Sequence, residues 1–337
     1  TDVTIAENAI NVLNATGSFA YMTLAEKLDA RKDAAEDLLT GADELAAAKE
    51  AAIQALEEYA VEAAESNGVT VDDIRTTVNA QIAAVEACNT EKEIEAIVKN
   101  DNVNSDFGSG ILAIWEAAQT AAAAANSEAV IDGKYYDTLA NALAAARGGD
   151  TITLTTDVEL DGQIAIPADV TLDGAGYTLD ASQVKTESAI VIVDGCTVKN
   201  LTVEGNTRMN SWDSNYGIQA YGDGVKATLE DVTVTGFDAA ILVNGAELTL
   251  KGTVNVSGNE FGGIEVSQGD GIDEVSKLIV EGTVVNSTES DTAPTAWIPC
   301  DDDKGTNAQG SIEGVKWTET MVEKDNGDFQ LWYTIND

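Results

Sequence analysis

The chain has 337 residues, a 44% apolar share and a formal net charge of −41. That apolar share supports folded cores and excludes a disordered acidic tail. The charge argues against binding nucleic acid or anionic lipid, whose phosphates it would repel. It also fits a well-solvated surface or a cation-rich setting.

His is absent, which removes the commonest general base and a common zinc ligand. Cys88, Cys196 and Cys300 are far apart, with no paired-cysteine spacing for a metal knuckle or redox couple. Cys196 reads as a small buried apolar residue, and a Cys196–Cys300 bridge is left open. No apolar run is long enough to span a membrane. The chain opens on Thr1 without a signal peptide, as a trimmed secreted protein would.

From the N-terminus to about residue 130 the apolar residues follow a helical period. Leu45, Ala48, Ala52, Leu56, Tyr59 and Ala63 form one stripe; Val71, Ile74, Val78, Ile82 and Val85 form another. Thr23 with Glu26, Thr70 with Asp73, and Thr90 with Glu93 read as capping boxes that start helices. Gly68 suits the left-handed exit of the long helix. Residues 100–110 read as a polar loop and residues 111–125 as an Ala-rich helix. The expectation is about five helices in an antiparallel bundle over residues 1–130. The Ala-rich stripes suit either close packing within that bundle or a partner helix.

From Val130 the period becomes two. Thr138–Ala146 predicts a short amphipathic helix bearing Leu139 and Leu143 and stopped by Gly148 and Gly149. Pairs of short alternating strands then return: Val170–Leu172, Val198 with Leu201 and Val203, Leu229 with Val232 and Val234, Leu250 with Val254 and Val256, and Val280 with Val284. A second series places Ile190, Ile218, Ile241 and Ile264 at intervals of 28, 23 and 23 residues. Such units cannot bury an apolar face alone and must stack, so residues 131–337 predict a solenoid. Gly205, Asn206, Gly236, Gly245, Gly258 and Asn259 read as corners that need positive φ. Residues 316–322 and 329–335, on either side of an Asp-Asn-Gly-Asp turn, read as a hairpin covering the last coil.

Over about residues 135–315 the chain resembles the right-handed parallel β-helix proteins of the pectate-lyase-like superfamily. The likeness is carried by the repeats and by Tyr135, Tyr136, Leu139 and Leu143 running into Thr151–Leu154, which looks like the N-terminal cap and first coil common there. The fold class expected is therefore α+β and multidomain: an N-terminal helical bundle, then a right-handed parallel β-helix. The resemblance implies a secreted or cell-surface protein of a bacterium and either a polysaccharide enzyme or a non-catalytic adhesin.

The enzymatic branches of that superfamily demand His with clustered Asp, or a strongly basic Arg with Ca²⁺-binding acids. This chain has no His and only Arg31, Arg75, Arg147 and Arg208. The preferred reading is a non-catalytic module, adhesin-like or glycan-binding; the alternative is a polysaccharide lyase or glycoside hydrolase using Arg208, Asp238 and Glu265. Solvated outer-face acids would look the same. The longest interruption of the strands, residues 205–216, carries Arg208, Trp212, Asp213, Asn215 and Tyr216, with Tyr221 just after. Aromatic faces beside amides and acids suit sugar rings, so these six are the ligand-site candidates, for a polysaccharide or a cell-surface glycan. Loop anchors would show the same residues. No cofactor is expected; Asp270, Asp273 and Glu274 offer Ca²⁺ closely spaced oxygens on a Gly-rich loop, although ordinary turn chemistry explains them too.

Overall fold

The computed structural model describes residues 19–101, 106–185, 187–206, 215–269, 272–305 and 308–335. Its contacts divide the chain into two compact units, Thr1–Ala123 and Ala124–Asp337.

In the first unit, helix α1 (Phe19–Asn67) buries Ala52, Leu56, Ala60 and Ala63 at helical spacing. It closes as expected at Gly68, whose φ is +70°. The Val69 amide donates to the Ala64 carbonyl and the Gly68 amide to the Glu65 carbonyl, a Schellman close that satisfies end-of-helix acceptors. Helices α2 (Arg75–Ala87) and α3 (Glu91–Val98) add Val78, Val85 and Ile94 to one core. Helix α4 (Ser109–Ala125) adds Ile111, Ile114 and Ala118. Each fully buried Leu or Ile contributes about 1.5–3 kcal/mol of transfer free energy.

Three expectations are corrected here. Thr23 lies inside α1 and starts nothing; the described residues of this unit hold four α-helices. Only Thr90 and Glu93 make the full capping box. At Thr70 the Asp73 carboxylate accepts both the amide and the hydroxyl, so that hydroxyl serves as donor and leaves the helix amides uncapped. The expected polar loop holds two short antiparallel strands, Asn100–Asp101 and Asp106–Phe107.

The second unit opens on a hairpin, Ala129–Ile131 with Lys134–Tyr136. Its turn residues Asp132 and Gly133 have φ of 48° and 78°, the paired positive values of a tight hairpin turn. Helix α5 (Leu139–Ala145) follows, capped by Thr138, whose hydroxyl accepts the Asn141 amide at 3.2 Å. It buries Leu139 in the core of the sheet.

Beyond α5 the chain builds a large, mostly parallel sheet. Ile164, Ile190, Ile218, Ile241 and Ile264 are consecutive partners across it. So are Leu172, Val198, Leu229, Leu250 and Val280. Both rows lie in one buried apolar cluster, with Ile164 partly buried against its edge. The arrangement is β-helix-like: each return of the chain lays the same side-chain type on the one before, and parallel pairing fixes the register.

Three of the six expected corners carry the expected conformation, Gly236, Gly245 and Gly258 at φ of 82°, 69° and 81°. Gly205 differs. Its backbone is not left-handed; a Cβ there would lie 2.4 Å from the Gly236 carbonyl oxygen and 2.7 Å from the Phe237 ring, so close approach excludes a side chain. Asn259 is a buried corner whose amide donates to the Val234 and Val256 carbonyls and accepts the Phe237 amide. Acidic side chains hold other corners: Asp157 accepts the Thr178 amide, Asp194 that of Lys226 and Asp231 that of Thr253.

The C-terminal strands Thr318–Glu323 and Phe329–Thr334 form the expected hairpin, and the second pairs antiparallel with Ala296–Cys300. Tyr333 enters the main core, edge-on to Trp317 at 6.5 Å between ring centroids. All three cysteines are free and buried, so Cys196 and Cys300 form no bridge. Burial pushes both of those thiols above their ordinary value, which keeps them unreactive.

Candidate functional site

Within each strand of the isoleucine row, the residue after the isoleucine faces away from the core. Register therefore assembles an outer row of Ala165, Val191, Gln219, Leu242, Glu265 and Trp297. The antiparallel terminal strand extends it with Trp332 opposite Trp297. The row begins with small or aliphatic residues and ends in an acid and two indoles.

That end forms the wall of a cleft of about 490 Å³. Phe261, Glu265 and Trp297 line it from the sheet, and Lys324, Gln330 and Trp332 line it from the hairpin. Phe261 is 36% exposed at the rim; Trp297 and Trp332 are 5% and 7% exposed and form the inner walls. A second cavity of about 450 Å³ shares Lys324, Gln330 and Trp332 and is rimmed by Asp291, Glu323, Asp325 and Asp328. The hairpin turn places the lysine: its amide donates to the Asp328 carbonyl at 2.8 Å, and the Gly327 amide returns to the Lys324 carbonyl at 2.8 Å. The Lys324 ammonium then lies 5.0 Å from the centroid of the Trp332 ring. The Trp332 indole N–H donates to Gln330 Oε1 at 2.9 Å, which fixes the ring plane.

Glu265 is half-buried in this cleft. The Tyr216 hydroxyl donates to its Oε2 at 2.5 Å. Burial pushes the Glu265 carboxyl above its ordinary value, and the hydrogen bonds from Tyr216 and Ser267 pull less strongly the other way. The Tyr216 phenol is raised as well, first by its own burial and then by the Glu265 charge. The pair is thus a carboxyl that holds its proton more tightly than usual, bonded to a phenol that stays neutral. Such a group can donate a hydrogen bond, transfer a proton, or neutralise a cation, according to pH and ligand.

No family model and no curated protein matches the chain. Among solved structures it is similar to a crystal structure of pectin methylesterase in complex with hexasaccharide VII. The match is at 14% identity and a TM-score of 0.32, covering 60% of this chain and 82% of that one. A likeness of that size carries no argument about this chain.

Of the residues singled out from sequence, Glu265, Tyr216 and Asp238 lie close together. Asp238 is 6% exposed, accepts the Asn215 amide at 3.2 Å, and its charge adds to the raising of the Tyr216 phenol. Asn215 turns its side chain to the Val184 and Glu187 carbonyls at 3.0 and 3.3 Å. Tyr221 is exposed and pairs in register with Asn244, beyond the residues that line the cleft. Arg208, Trp212 and Asp213 lie outside the described residues, as does Asp270. The Asp273 and Glu274 amides both donate to Asp223 Oδ1, at 2.9 and 3.1 Å. Among the described residues no group of three or more acids or cysteines is arranged to hold a metal ion.

Sequence reasoning did not assign Phe261, Trp297, Lys324 or Trp332 to a site. One signal was available: three of the five tryptophans, Trp297, Trp317 and Trp332, fall in the last part of the chain. Trp317 and Trp332 read there as cover for the last coil, and Trp297 as part of a repeating strand. No helix among the described residues is long and apolar enough to cross a membrane.

Proposed function

We propose that this chain is a non-catalytic glycan-binding module of a secreted or cell-surface protein. In this reading the second unit is a right-handed parallel β-helix, the first a helical bundle that serves as spacer, and the cleft beneath the terminal hairpin takes the saccharide. The observation that carries it is the lining: Phe261, Trp297 and Trp332 with Glu265 and Gln330 around about 490 Å³. Sugar C–H faces stack on aromatic rings while hydroxyls exchange hydrogen bonds with amide and carboxyl groups. The 208–221 loop, with Trp212 and the exposed Tyr221, is a second contact in the same proposal, and a bacterial origin is part of it.

Calorimetry of the full chain against a panel of neutral, acidic and amino-sugar oligosaccharides tests the reading. Binding to at least one class, weakened roughly tenfold or more by Phe261→Ala, is expected. Failure of the whole panel to bind contradicts it.

One observation favours a second, enzymatic reading: the raised Glu265 carboxyl beside buried Tyr216 and Asp238 is the environment of a proton donor. In that reading Glu265 protonates a glycosidic oxygen and Asp238 serves as its partner. Release of reducing ends by the wild type and its loss in Glu265→Gln would establish hydrolysis.

A further inference from the structure

The contact that glycan stacking leaves unexplained is the one made by Lys324. The chain carries 59 acidic and 18 basic residues, and Glu323, Asp325 and Asp328 share a turn with this lysine. An ammonium so placed has carboxylates within easy reach. Yet among the described residues Lys324 makes no ion pair; its ammonium rests over the Trp332 indole. Elsewhere on the sheet, lysines do pair with acids, as Lys199 does with Asp173 at 3.1 Å and Lys277 with Glu313 at 3.0 Å.

The ring that holds this cation is one wall of a cavity whose other walls are Phe261, Trp297 and Glu265. Aromatic faces offer negative quadrupole density to a cation without competing as hydrated partners, and a carboxylate among them completes the neutralisation. Phosphate, carboxylate or sulfate would meet the opposite: an acid within and an acidic rim of Asp291, Glu323, Asp325 and Asp328. Neutral sugars would use the rings, the amides and the Glu265 carboxyl as stacking and hydrogen-bonding partners, but only a cation would also neutralise its charge.

We propose that the cleft is a receptor for an organic ammonium group, carried by a free amino sugar, and that Lys324 is its internal occupant, displaced from the Trp332 ring when ligand enters. The inference rests on the glycan-binding reading for the sugar and on the Lys324 contact for the charge. Displacing Lys324 opposes binding, and its removal leaves the ring free. Glu265 supplies the counter-charge at the floor, held in place by the Tyr216 hydroxyl.

The test is a titration of the full chain, at one fixed salt concentration, with four probes: a short glucosamine oligomer, its N-acetylated counterpart, choline and spermine. The readout is the indole N–H resonance of Trp332, together with calorimetry. Wild type is expected to prefer the free-amine oligomer over the N-acetylated one by roughly tenfold. Lys324→Ala should tighten the free-amine oligomer several-fold and leave the N-acetylated one unchanged, and Glu265→Gln should weaken only the free-amine oligomer. Lys324 lies on a solvent-facing turn, so its variant reports even where a tryptophan variant would unfold the hairpin.

Equal affinity for the two oligomers would overturn the ammonium proposal and leave the glycan reading standing. Choline matching the free-amine oligomer at the Trp332 resonance would keep the ammonium receptor and remove the sugar. Spermine binding as well as the free-amine oligomer, with no change in Lys324→Ala, would assign all binding to the bulk negative charge and end the proposal. So would the absence of any binding, which would also end the glycan reading.

Discussion

The outer row of the sheet reads differently at its two ends. At the start, Ala165 and Val191 lie on strands that follow a helix, α5, which buries Leu139 against the first coils. At the finish, Glu265 and Trp297 lie beneath a hairpin that crosses antiparallel and adds Trp332 and Lys324. Both ends meet one problem: the outermost strand of a parallel sheet exposes apolar side chains and unpaired amides. The helix solves it by packing alone. The hairpin also pairs backbone to backbone, carries bulky aromatic residues over the edge, and leaves a recess beside them. The difference teaches that the repeating strands specify stacking while the non-repeating end shapes the recess.

The largest effect that would test this division is in the stack. Ile218→Ala removes a side chain with no exposure from the middle of the isoleucine row and should cost about 2–5 kcal/mol in denaturant unfolding. Gln219→Ala, the outer neighbour, should cost far less. Equal costs would break the claim that the inner rows hold the stack.

The next effect sharpens the contrast at the cleft end and concerns pH. Glu265 is raised in the folded state, so the folded chain holds a proton there that the unfolded chain has released. Its contribution is therefore favourable in the acid range and is lost as pH rises from the ordinary carboxylate range through the raised value. Ligand binding should show the opposite trend, because an ammonium needs the ionised acid, while Tyr216, whose phenol is raised by burial, stays neutral. Glu265→Gln should flatten both profiles, as followed by thermal unfolding and by calorimetry at several pH values. Profiles unchanged by Glu265→Gln would remove Glu265 from the account.

The smallest effect concerns the charged ladders on the outer sheet face. Lys226 pairs in register with Glu247, and Glu247 with Lys277, which also reaches Glu313. These pairs are partly exposed, so Lys277→Ala should cost no more than about 1 kcal/mol and less in high salt. A larger, salt-independent loss would show that the ladder selects register instead of decorating it.

Much of the fold was legible in the sequence because its rule is local. Alternation of period two marks Leu172, Val198 and Leu229 as one class, and parallel stacking then makes them partners. The turn around Asn326 and Gly327 announced the terminal hairpin for the same reason. The cleft was not legible, because it depends on register between distant strands: Glu265 opposite Trp297 in parallel, then Trp297 opposite Trp332 in reverse. Local aromatic density pointed instead to the 205–216 interruption. There Tyr216 turns inward to Glu265, and Asn215 satisfies the Val184 and Glu187 carbonyls. Those roles are set by the carbonyls and the carboxyl that these two residues meet from distant strands, which spacing alone does not carry. Thr70 failed as a helix cap for a related reason: its hydroxyl found the Asp73 carboxylate, a stronger partner than a backbone amide.

The most direct measurement follows the five tryptophan indole resonances while the full chain is titrated with a glucosamine oligomer. A saturable shift at Trp332 that disappears in Phe261→Ala is the expected result. A shift at Trp212 with Trp332 unmoved would place the ligand on the loop and contradict the account.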